Sequence, residues 1–166
     1  GREDPNMSQK AEFKDFIVTV PEENQDFVRK LHEKLMERGC RIDIKTARSG
    51  YVVSYSFDKK TAANYVFRKK GMLVRIYGAH VNQYTEVLDT FPEEMVQAVL
   101  SAPPCKRMKD PDSCNPRCSM GYDFWLKGEH CQKCRSSAFM FLIYPQNHTY
   151  IEKLLLSEVQ ARRNTP

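Results

Sequence analysis

Residues 41–77 read RIDIKTARSGYVVSYSFDKKTAANYVFRKKGMLVRIY, and this stretch decides the fold. Ile42 and Ile44 alternate with Arg41, Asp43 and Lys45, a period of two that sends neighbouring side chains to opposite sides of an extended strand. The run 51–57 continues it, with Tyr51, Val53, Tyr55 and Phe57 on one face and Val52, Ser54 and Ser56 on the other. Residues 63–67 and 72–77 are two further runs rich in β-branched and aromatic side chains. Turns at 47–50, 58–60 and 69–71 separate them. Four strands joined by loops this short predict an antiparallel meander.

Working outward, Pro21 opens a helix that places Phe27, Val28, Leu31, Leu35 and Met36 on one face, and Gly39 ends it as a left-handed cap. Before it, residues 13–20 are apolar and short, a helical turn or an edge strand. Beyond the meander, 84–89 reads as a helical turn. Pro92 then begins a helix with Glu93 and Glu94 at its positive end and a stripe of Met95, Val96, Val99 and Leu100. The apolar run 138–143 reads as a buried strand. Residues 149–163 read as a closing helix with Tyr150, Ile151, Leu154, Leu155 and Val159 inward. The predicted class is α+β: an antiparallel sheet of about five to six strands, the N- and C-terminal helices on one face, and a Cys-rich, metal-stapled loop and hairpin. One domain is expected over 13–166, with 104–135 as the Cys-rich zinc-binding subregion. Residues 1–12 are read as a flexible N-terminus whose first six residues look like a cloning scar ahead of Met7.

The cysteines are the second signal. Five of six lie in CKRMKDPDSCNPRCSMGYDFWLKGEHCQKC, residues 105–134, as Cys105-x8-Cys114-x3-Cys118-x12-Cys131-x2-Cys134. Pro111, Pro116, Gly121 and Gly128 make this stretch mostly turn and loop, so something other than apolar burial must tie it down. Zinc needs four soft ligands, and the pairs 131/134 and 114/118 are usable half-sites. Any four of Cys105, Cys114, Cys118, Cys131 and Cys134 could serve, with His130 as a weaker sixth. Four protein ligands would close the coordination sphere, so the zinc is expected to be structural. Free thiols and disulfides are the competing readings. The usual iron–sulfur spacings are absent. Cys40 stands alone and is read as a small buried hydrophobe.

The pattern Pro104-Cys105-Lys-Arg, Pro111-x-x-Cys114-Asn115-x-x-Cys118-x-x-Gly121-Tyr122 and Lys133-Cys134-Arg135, with the 50–55 and 67–71 segments of the meander, resembles a family of small uncharacterised bacterial cytosolic proteins. The likeness covers the chain from about Phe13 onward. It implies that Cys105, Cys114, Cys118 and Cys134 are the ligand set and Cys131 the spare. It implies no substrate.

Charge and aromatics carry the remaining expectations. The net charge is +5, and residues 41–80 hold nine Lys/Arg against Asp43 and Asp58. Arg68 and Arg75 sit inside apolar strands, where a guanidinium needs a partner. With Tyr55, Tyr65, Tyr122 and Trp125 they suggest a pocket for a small anionic or aromatic ligand, and thus a zinc-stabilised binding or regulatory module. The alternative partner is nucleic acid, met by Lys59, Lys60, Lys69 and Lys70. A cysteine-dependent enzyme or redox protein is the third reading. No glycine-rich phosphate loop, nucleophile elbow or paired-carboxylate motif is present. Asn147-His148-Thr149 matches a glycosylation acceptor and is read as chance. With no eighteen-residue apolar run and no leader-like start, the expectation is a cytoplasmic protein with no membrane partner.

Overall fold

The structure, a computed structural model, describes residues 9–48, 50–112 and 117–165. Two helices, α1 (Phe13–Ile17) and α2 (Glu22–Glu37), precede four strands: β1 (Arg41–Ala47), β2 (Gly50–Phe57), β3 (Lys60–Arg68) and β4 (Gly71–Ile76). The short helices α3 (Thr85–Leu88), α4 (Glu93–Leu100) and α5 (Lys106–Lys109) follow. Then come the hairpin strands β5 (Tyr122–Leu126) and β6 (Glu129–Lys133), strand β7 (Met140–Leu142) and helix α6 (His148–Asn164). All pairings are antiparallel, in the order β1-β2-β3-β4-β7, with β5-β6 as a separate two-stranded sheet. The expected α+β class is thus observed.

Register explains which side is buried. Ile44, Val53, Tyr65, Val74 and Phe141 lie opposite one another across the five strands, and all are buried. The next row on that face is Ile42, Tyr55, Ala63 and Ile76. Phe16 of α1 stacks on Tyr65 at 5.7 Å, and His32 of α2 bonds the Tyr55 hydroxyl at 2.9 Å. Helix α6 lies beside α2, joined by Lys34 Nζ to Glu152 Oε1 at 2.8 Å. The opposite face carries the polar row Asp43, Ser54, Asn64 and Arg75. A bulge after Tyr55 breaks the strict alternation expected through Phe57.

Buried Asn24 holds three elements together. Its Nδ2 donates to Ile143 O at 3.2 Å, and its Oδ1 faces His148 Nε2 at 2.6 Å. The His148 ring stacks on Phe27 at 4.2 Å. Burial lowers the His148 pKa, and burial likewise lowers that of His32 against an opposing pull from Glu33. The unfolded chain therefore takes up protons below about pH 6.5 that the folded chain resists. Stability should fall as pH drops through that window and be insensitive to these groups above it. The urea midpoint is expected to decline from pH 7 to pH 5.5, and less steeply in His148→Gln. Equal slopes for the two proteins would refute the assignment.

Two details depart from the sequence reading. The apolar run 138–143 yields only three strand residues, because the amides of Ser137 and Ala138 turn back onto Cys134 O. The segment after Cys105, expected as loop, forms α5. Strands β5 and β6 pair as an antiparallel hairpin that ends at Lys133. Tyr122, Phe124 and Leu126 point inward, and Phe124 and Tyr122 pack on Phe139. Lys133 Nζ caps the end of α4, donating to Leu100 O and Ala102 O at 2.8 and 2.9 Å.

Candidate functional site

Helix α6 buries Ile151, Leu154, Leu155 and Val159, and Glu158 falls on the same stripe, three residues past Leu155. Its carboxylate is 0% exposed. A charge so placed needs donors on every side, and it has them. Oε1 accepts from the His80 amide at 2.9 Å and from the Tyr84 hydroxyl at 2.5 Å. Oε2 accepts from His80 Nδ1 at 2.8 Å and from Arg162 Nε at 2.7 Å. Burial, reinforced by Glu158, pushes the Tyr84 phenol far above its usual range, so it remains a donor. Arg162 also reaches Lys60 O at 3.1 Å and Tyr77 O at 3.0 Å. One helical turn of α6 thereby fastens the start of β3 and the end of β4.

Lys60 follows a two-residue turn in which Asp58 and Lys59 both have positive φ, at 50° and 68°. Two successive left-handed residues make the tight hairpin geometry that antiparallel strands favour.

Two members of this network, His80 and Arg162, border a cleft of about 650 Å³. His80, Arg162, Tyr77 and Lys60 line it from the sheet and α6, and Ser119 and Arg135 from the Cys-rich segment. The Arg135 guanidinium lies 5.2 Å from the Tyr77 ring centroid. Among the described residues, neither Arg135 nor Lys60 has an ion-pair partner, although Asp58 also lines the cleft. The buried Tyr122 hydroxyl lies toward Arg135. Burial raises its pKa, and Arg135 opposes the rise. The cleft therefore offers cations, an imidazole and an aromatic ring over a buried carboxylate whose acceptor capacity is already used.

The six residues expected to bind ligand do not converge. Tyr55 and Tyr65 are buried in the core at 1% and 4% exposure. Among the described residues the Tyr65 hydroxyl has no hydrogen-bond partner there. Arg75 is held by neutral acceptors, Ser136 O at 2.6 Å and Asn64 Oδ1 at 3.4 Å, so it braces β4 against the turn before β7. Arg68 is at the β3–β4 turn with Lys69 and Lys70. Trp125 is 60% exposed on the outer face of the hairpin, stacked on His130. Tyr122 alone reaches the neighbourhood of the cleft, through Arg135. Lys59 and Lys60 sit at the opposite end of β3 from Lys69 and Lys70, about 26 Å away at the strand rise.

The cysteines lie in different surroundings. Cys131, paired with Phe124 across the hairpin, is in the hydrophobic core, where burial raises its pKa. Cys105 and Cys134 flank the bridge between Pro104 and Lys133, and Cys134 N donates to Pro103 O at 3.0 Å. Burial raises the Cys105 thiol, but the amides of Gly121, Met108 and Arg107 and the Arg107 charge outweigh it, and its pKa is lowered. Gly121 N lies 3.3 Å from Cys105 Sγ, and Arg107 Nη1 donates to Cys118 O. Cys114 lies outside the described residues. Among those described, no three His, Cys, Asp or Glu side chains gather around a point that could hold a metal ion.

No protein-family model, no curated protein and no solved structure matches the chain. Among the described residues no helix is long and apolar enough to cross a membrane. The site must therefore be argued from its own chemistry.

His80, Glu158, Arg162, Arg135 and Tyr77 were missed as site residues by sequence reasoning. One signal was present: a glutamate on the apolar stripe of α6, with an arginine four residues later.

Proposed function

We propose that this protein is a small binding or regulatory module that takes up a small anionic ligand in the cleft beside His80. The observation that carries the reading is the pair of cations, Arg135 and Lys60, that line the cleft without ion-pair partners among the described residues, next to an Arg162 whose charge is matched by buried Glu158. Guanidinium groups bind carboxylate and phosphate oxygens with paired, charge-assisted hydrogen bonds. Tyr77 supplies an apolar wall to which a planar ligand could also turn.

A structural zinc belongs to the same proposal. Cys105, Cys114, Cys118 and Cys134 would hold it, and core burial excludes Cys131. The family resemblance of the Cys-rich pattern implies this set, and the Cys105 thiol is lowered toward the thiolate that zinc requires. Bound there, zinc would supply a rigid clasp for the segment that carries Ser119 and Arg135.

Inorganic phosphate, titrated calorimetrically, tests the reading. Arg135→Ala should weaken phosphate binding about tenfold or more, the value of one charge-assisted hydrogen bond. The same titration at rising salt tests the nucleic-acid alternative. Single-stranded DNA engaging lysines at both ends of β3 should lose affinity steeply with salt. Equal phosphate affinity in wild type and Arg135→Ala would contradict the cleft as the site.

A further inference from the structure

Binding an anion does not account for His80. Its Nδ1 faces the Glu158 carboxylate at 2.8 Å, and its ring, 27% exposed, lines the cleft. That contact places the proton on Nδ1, so the neutral ring keeps a lone pair on Nε2, on the side away from Glu158. A lone pair repels an anion and adds nothing to holding one. It is, however, what a base needs. Glu158 in turn cannot swing away, because His80 N and Tyr84 from the segment between β4 and α3, and Arg162 from α6 itself, fix its two oxygens. A carboxylate-aligned imidazole in a cleft also lined by Arg135 and Lys60 is a base set next to donors for developing negative charge.

We propose that the cleft hydrolyses phosphate esters, with His80 as general base and Glu158 as the residue that positions it. The proposal rests on the anion-binding reading of the same cleft. Arg135 and Lys60 hold the phosphoryl oxygens. His80 Nε2 takes a proton from water as the water oxygen bonds to phosphorus. The phosphorus–oxygen bond to the leaving alkoxide or phenolate breaks, and the imidazolium returns the proton to that oxygen. The products are inorganic phosphate and an alcohol or phenol, and His80 ends neutral. Water is the only co-reactant. The groups facing His80 are Glu158 and Arg162 from α6, Tyr84 ahead of α3, Lys60 and Asp58 at the β2–β3 turn, and Arg135 across the cleft.

The test is hydrolysis of p-nitrophenyl phosphate by the full chain, run alongside phosphate calorimetry. Wild type should release p-nitrophenolate, and His80→Asn should be slower by about 100-fold or more with phosphate affinity unchanged. Glu158→Gln should lower kcat while leaving KM close to wild type, since Glu158 reaches His80, Tyr84 and Arg162 but neither Arg135 nor Lys60; His80→Asn carries the test if that variant does not fold. Phosphate binding without turnover above the His80→Asn rate overturns the hydrolytic assignment and leaves the binding reading intact. Weakened phosphate binding in His80→Asn also overturns it, because His80 would then be a charged donor. No phosphate binding by wild type overturns both.

Discussion

Replacing Glu158 with alanine should cost about 3–5 kcal/mol of folding stability, the penalty for removing one partner of a buried ion pair. Glu158 is fully buried, and the Arg162 side chain is 9% exposed. Without the carboxylate, the guanidinium keeps Lys60 O and Tyr77 O as acceptors but has no counter-charge. The Tyr84 hydroxyl and the His80 amide also lose the acceptor they share. An unsatisfied buried donor carries its full desolvation cost, which hydrogen bonds among the survivors do not recover. Replacing both charges with apolar residues should behave differently. Glu158→Leu with Arg162→Met should regain only the part of the loss that comes from the unpaired guanidinium, since the Tyr84 hydroxyl and the His80 amide still lack their acceptor. Urea denaturation of the two single variants and the double variant checks this. A loss below about 1 kcal/mol for Glu158→Ala would mean the network is not the tie between α6 and the strand ends.

Gly121→Ala is the second large effect, and here the cause is steric. A Cβ on Gly121 would lie 2.1 Å from the carbonyl oxygen of Lys133 and 2.9 Å from Cys105 Cβ. The first contact is with strand backbone, so no rotamer relieves it. Either β5 parts from the end of β6 or the strand end moves away from Pro104. Both movements disturb the Lys133 cap on α4 and the Gly121 amide at Cys105 Sγ. A loss of about 3 kcal/mol is expected, at the upper end of overpacking effects. The loss should be local, so the far-ultraviolet circular dichroism of the five-stranded sheet should persist after the hairpin signals in a thermal melt have gone. A variant as stable as wild type would show that the 105–121–133 junction is loosely packed.

The fold was largely legible because its signals are local. Alternation in 41–77 marks strands, Gly39 marks the end of α2 with φ at 92°, and hydrophobic spacing marks α6. Strand order needed more. That β7 adds to β4 depends on the turn at Cys134, which is bonded through backbone amides that leave no mark in side-chain pattern. The site was less legible for a related reason. His80 and Glu158 are 78 residues apart, and neither belongs to a recognisable motif. Arg75 drew attention as a cation in an apolar strand, yet neutral acceptors 11 and 61 residues away satisfy it. Tyr55 and Tyr65 were compatible with a pocket wall or a core, and strand register placed them in the core. Glu158, a charge on a buried stripe, was the sequence anomaly that pointed to the cleft.

The most direct test of the anion cleft is a titration of isotope-labelled protein with inorganic phosphate, followed through backbone amide shifts. The account predicts perturbations that saturate together at Tyr77, His80, Ser119 and Arg135, with Lys69 and Lys70 unmoved. Shifts centred on Arg68, Lys69 and Lys70, or none at all, would contradict it.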